Sequence, residues 1–224
     1  MAEAAPFHFR TENRLVRLTG LKATTLRALL EHLRAVSGSS IFYHTHHQYL
    51  ARHFVTPVFY DDFAAWAMEA LQEPELAEKL AAIDLLAFTA IRPLRNAIVE
   101  TIERHLAGNA GRVRECPPGD EFHFCESQSF IMPTGLVARD VEEFFAVLPR
   151  VTNVSLFFHF FEARLRLEQP TNDFSAWLGS QGARDLARAI DRLDPYVVTL
   201  DELKAQIVAL GRDLRRVEHA RQPA

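Results

Sequence analysis

Apolar residues recur at helical spacing in several windows of the chain. Leu26, Leu29, Leu30 and Leu33 form one such stripe, and Val141, Phe144, Phe145 and Leu148 form another. Both predict amphipathic helices. The stretches ahead of them alternate instead, as Phe7-His8-Phe9 and Phe122-His123-Phe124, the second running on to Phe130-Ile131. Alternation predicts a short extended segment, closed in each case by a Thr-Gly turn at Gly20 or Gly135. Ser40–Arg52 and Ser155–Leu167 are apolar over much of a helical circumference, with Phe157, Phe158, Phe160 and Phe161 around His159. That density predicts helices buried on most sides. Leu76–Leu86 and Leu186–Leu193 read as short amphipathic helices, and Thr89 and Thr199 as N-caps of a long last helix in each half.

The two sets of patterns match each other. Shifted by 115, residues 7–50 lie on 122–165 without a gap, and 13 of 44 positions are identical, where composition alone gives about three. Asp62, Phe63 and Trp66 then match Asp173, Phe174 and Trp177 at an offset of 111. The reading is a duplication, with a first copy at 6–106, a Gly/Pro-punctuated linker at 107–119, a second copy at 120–217 and a charged tail at 218–224. The expected fold is mainly α: an internally duplicated, pseudo-two-fold helical protein with short β segments at the start of each copy.

Composition narrows the classes of function. The 224 residues are 48% hydrophobic and 24% charged, ordinary for a folded globule. A net charge of −4 argues against a nucleic-acid partner, which requires a positive field. No apolar run approaches a membrane span and the N-terminus has no signal core, so neither a membrane partner nor export is expected. With two cysteines, Cys116 and Cys125, there is no disulfide framework, and the expected location is cytoplasmic.

Ten histidines invite a metal or catalytic reading. His32, His53, His105 and His219 have no histidine counterpart in the other copy and read as solvated or helix-end residues. His8 and His123 match, on the strand face opposite the phenylalanines. His44 and His47 are i,i+3 neighbours on a helix, and their counterparts are His159 and Glu162. If the two helices meet, these four residues form a His/His/His/Glu set fit for a divalent metal such as zinc. Two structural alternatives stand beside it: an i,i+4 ion pair between Glu162 and Arg166, and core imidazoles bonded to backbone. Asp62 and Asp173 read first as helix N-caps, and as acid/base catalysts only if those helix starts face the histidines. No nucleophile with a local base, no Gly-rich phosphate loop and no Cys-x-x-Cys pair is present.

SIFYHTHHQYL with DDFAAW, and SLFFHFFEARLR with NDFSAW, resemble a prokaryotic family catalogued only as a domain of unknown function, whose hallmark is the FEARLR…NDFSAW segment from Phe161 to Trp177. The resemblance covers nearly the whole chain and brings no cofactor or catalytic residue with it. It implies an association with glycosyltransferases and carbohydrate metabolism. The leading expectation is a non-catalytic binding or regulatory module engaging a ligand or protein partner at the seam between copies. The alternative is a metal-dependent enzyme.

Overall fold

The structure is a computed structural model that describes residues 5–47, 50, 59–109 and 114–221, without the side chains of 166, 167 and 213–221. It is 59% helical and 19% strand, a mixed α/β fold. The mainly α expectation with short β segments is therefore corrected. The strands are long: β1 is Phe7–Ala23 and β2 is Phe122–Ala138, 17 residues each, paired as an antiparallel two-stranded sheet.

The physical reason lies at the Thr-Gly steps, which do not end the strands. Gly20 and Gly135 take positive φ values of 82° and 77°, open to glycine without strain. The neighbouring hydroxyls bond back to the ladder. Thr19 Oγ1 donates to the Phe124 carbonyl at 2.8 Å and Thr134 Oγ1 to the Phe9 carbonyl at 2.6 Å. Each strand runs on through its Thr-Gly step without a break.

Packing gathers the described residues into two compact units. One, here the N-unit, holds 14–50 and 59–129; the other, the C-unit, holds 5–13 and 130–221. The C-unit is not a contiguous stretch of chain, and each unit takes a strand segment from the opposite half of the sequence. Two self-contained duplicate copies are not shown.

In the N-unit, α1 (Leu26–Ala35) starts at the Thr25 cap, whose hydroxyl accepts the Ala28 amide at 3.2 Å. It is followed by α2 (Gly38–Phe42), α3 (Asp62–Glu69), α4 (Pro74–Ala81) and α5 (Ile91–Gly108). Thr89 does not cap α5, since the cap position is Ala90 and carries no side-chain bond. Leu29, Leu33, Ile41, Phe63, Leu76, Leu94 and Ile102 form the core with Phe122 and Phe124 of β2. Burying side chains of this size contributes about 1.5–3 kcal/mol each.

The C-unit holds α6 (Val141–Val147), α7 (Asn153–Phe157), α8 (Ala163–Leu167), α9 (Asp173–Ser180), α10 (Arg184–Asp191) and α11 (Leu200–Arg221), and in it Phe7 and Phe9 of β1 are buried. Thr199 caps α11, accepting the Glu202 amide at 3.2 Å. The Phe7 ring meets Phe144, Phe174 and Trp177 with centroids at 5.6 Å. Each tryptophan also fixes the chain where its strand begins: Trp66 Nε1 donates to the Asp120 carbonyl at 2.7 Å, and Trp177 Nε1 to the Ala5 carbonyl at 2.8 Å. No helix among the described residues is long and apolar enough to cross a membrane.

Candidate functional site

His44 does not sit in an α-helix. Tyr43–His47 forms a π-helical turn directly after α2, and Phe158–Glu162 forms another directly after α7. A turn closed from i to i+5 carries more residues per revolution than an α-turn, so the i,i+3 face expected for His44 and His47 is lost. His47 instead stacks on Tyr43, centroids 4.8 Å apart. In the first turn the Thr45 hydroxyl donates to the Ile41 carbonyl at 2.8 Å, a side-chain bond at the i−4 position of the ladder.

The π turns bring each buried histidine to an aspartate. His44 Nδ1 lies 2.8 Å from Asp62 Oδ2, and His159 Nδ1 lies 2.7 Å from Asp173 Oδ2. The opposite ring nitrogen is used as well. His44 Nε2 accepts the Cys125 backbone amide at 2.9 Å, and His159 Nε2 accepts the Arg10 amide at 2.8 Å. A backbone N–H can only donate, so Nε2 is unprotonated and the ring proton sits on Nδ1, facing the carboxylate. Ser155 Oγ adds a bond to the Arg10 carbonyl at 2.6 Å. The rings lie against the strand phenylalanines, Phe122 at 4.7 Å from His44 and Phe7 at 4.9 Å from His159.

Asp62 and Asp173 thus bind histidine and do not cap. Capping falls one residue earlier, to Asp61, which accepts the Ala64 amide at 2.7 Å, and to Asn172, which accepts the Ser175 amide at 3.0 Å. As first helical residues, Asp62 and Asp173 still place negative charge where the helix dipole favours it. Burial pushes the Asp61 carboxyl up to about 6, against the lowering effect of the Ala64 amide and with a further rise from Asp62.

The four expected metal ligands divide two and two: His44 and His47 belong to the N-unit, His159 and Glu162 to the C-unit. Among the described residues no group of three or more His, Cys, Asp or Glu side chains is placed to hold a metal ion. The Glu162–Arg166 pair and His53 fall outside the described side chains.

Asp62, His44 and Cys125 do come together, a set that sequence spacing had not connected. Their bonding is not that of a nucleophile with its base. The imidazole takes the Cys125 amide, while Sγ lies 3.8 Å from the His123 carbonyl. Burial, and then Asp62, push the Cys125 thiol up. In the C-unit the corresponding residue is Arg10, which has no thiol at all.

Two other histidines are also buried. His46 is buried, stacked on Phe42 at 4.9 Å, and bonded to Thr45 Oγ1 at 2.7 Å. Burial and the nearby Arg14 hold its pKa down to about 3. His105, expected to be solvated, is buried on the inner face of α5, with Nε2 3.3 Å from Glu73 Oε2. Arg114 Nε completes that cluster at 3.1 Å from Glu73 Oε1, and its guanidinium donates to the Leu71 carbonyl at 3.1 Å.

The sequence from 4 to 212 matches the model of a family described as a family of unknown function (DUF5752). The chain belongs to this family. A solved structure, OrfY from Thermoproteus tenax, is similar to this member of the family: 29% identity over 95% of this chain and 97% of that one, with a TM-score of 0.79. No curated protein matches the chain.

Proposed function

We propose that the protein is a non-catalytic binding module whose histidines serve its architecture. One observation carries this reading: the matched buried imidazoles of His44 and His159 have Nδ1 and Nε2 committed, to an aspartate on one side and a strand amide on the other. A general base must offer a free nitrogen to the proton it removes. Here that lone pair is spent on a backbone N–H. A glycosyltransferase as the partner and a cytoplasmic setting, both expected from the sequence, belong to this proposal.

Alkylation of Cys125 by iodoacetamide at pH 7.5, in a Cys116→Ser background, tests it. The expected rate is below that of free cysteine, because the thiol is raised and partly covered. His44→Gln should leave that rate at or above the parent value. A rate faster than free cysteine that collapses in His44→Gln would reveal an activated nucleophile and overturn the reading.

A further inference from the structure

A two-stranded sheet has two edges, and an uncovered edge is a template for another strand. In the N-unit the β2 edge is closed, because the outward amide of Cys125 is taken by His44. In the C-unit the β1 edge is closed, because the outward amide and carbonyl of Arg10 are taken by His159 and Ser155. The exposed large apolar side chains of the sheet lie on the other strand in each unit. They are Leu15, Val16, Leu18 and Leu21 on β1 in the N-unit, and Phe130, Ile131 and Met132 on β2 in the C-unit. Leu15 and Leu18 are 61% and 67% exposed.

Charge selects between occupants of the N-unit edge. The β1 segment Arg14–Ala23 carries Arg14, Arg17 and Lys22 and no acidic residue. Arg17 pairs with Glu126, yet its side chain is 75% exposed against 20% for the carboxylate. Lys22 faces Glu121 at 3.5 Å with the same imbalance, 57% against 20%. The cations therefore reach outward past their partners. A second copy of this strand would add three cations to the three already there. At the far end, His32 Nε2 lies 3.1 Å from the Lys22 carbonyl, so the open stretch centres on Leu15–Leu18.

We infer that the β1 edge at Leu15–Leu18 receives an extended protein segment that alternates acidic and apolar side chains. Backbone pairing supplies the attachment. The apolar side chains meet Val16 and Leu18 on one face of the strand, and the acidic ones meet Arg17 on the other. This rests on the binding-module reading and names the chemistry of its partner.

The test uses the full chain and three fluorescein-labelled nine-residue peptides: one alternating Glu and Val, one alternating Lys and Val, and the Glu/Val peptide N-methylated at every second residue. Fluorescence anisotropy should show the Glu/Val peptide binding at least tenfold tighter than the Lys/Val peptide. The N-methylated peptide should lose that binding. Amide exchange at Val16 and Leu18 should slow on saturation, and Leu18→Lys, with its fold checked by circular dichroism, should abolish binding. Equal binding of the two charge types, absence of binding, or binding without protection at Val16 and Leu18 would each overturn the inference. None of those results touches Cys125 alkylation, so the partner class and the non-catalytic reading fail separately.

Discussion

Cys125 offers His44 its backbone amide, 2.9 Å from Nε2, while its sulfur turns to the His123 carbonyl. The bond therefore depends on the chain at position 125 and not on the thiol. Cys125→Ser should change stability by less than about 1 kcal/mol. His44→Ala should cost about 2–4 kcal/mol, because it strands the Asp62 carboxylate and a strand amide. Denaturant unfolding of the two variants checks the contrast, and equal losses would contradict it.

Gly211 in α11 carries a prediction whose sign is informative. A mid-helix Gly→Ala exchange ordinarily stabilises by about 1 kcal/mol. Here a methyl at Gly211 would overlap the Phe145 ring. Gly211→Ala should instead destabilise by about 1–3 kcal/mol. Pairing it with Phe145→Leu should recover part of the loss in a thermal melt.

Asp61 opposes folding where it is ionised. Its folded pKa of about 6 lies above the ordinary 3.8, so the folded state binds the proton more tightly. Its stabilising effect is full below pH 3.8 and is lost as pH rises through 6. Asn172 performs the same capping role with no charge. Asp61→Asn should raise stability at pH 7 by about 1–2 kcal/mol, allowing for partial exposure, and remove this falling slope from a series of melts between pH 4 and 7.

His46 bends the profile the other way. Its folded pKa of about 3 lies below the ordinary 6.5, so the unfolded chain takes the proton first. Stability from this group is complete above pH 6.5 and declines as pH falls toward 3. Phe161 shows that a phenyl ring fits the corresponding stack, lying 4.8 Å from Phe157. His46→Phe should gain Tm progressively as melts move from pH 6.5 to 4, with little change at pH 8.

Local elements were largely legible in the sequence, because period and capping chemistry are local. The stripe of Leu26, Leu29, Leu30 and Leu33 did become a buried helix face. The importance of His44, His159, Asp62 and Asp173 was visible in their matched positions, although their roles were not. Two things hid the roles. The π turns change the angle between successive residues, and no residue pattern announces them. Strand pairing between Phe7–Ala23 and Phe122–Ala138 joins segments over 100 residues apart, which periodicity cannot see. His105 was within reach, since Leu94, Ile98, Ile102 and His105 continue one helical stripe, all buried. Its neighbours' charges misled the reading.

The exchange of strand segments sets a timetable for the growing chain. Leu29, Phe63 and Ile102 are translated well before Phe122 and Phe124, the rings their core closes around. Phe7, with Phe9 beside it, is made well before Phe144 and Phe174, the rings it packs against. The N-unit needs the chain as far as 129 before its core can close, and the C-unit needs the helices beyond 140. A nascent chain therefore can close the N-unit first, and holds Phe7 and Phe9 without their partners until α9 has been made.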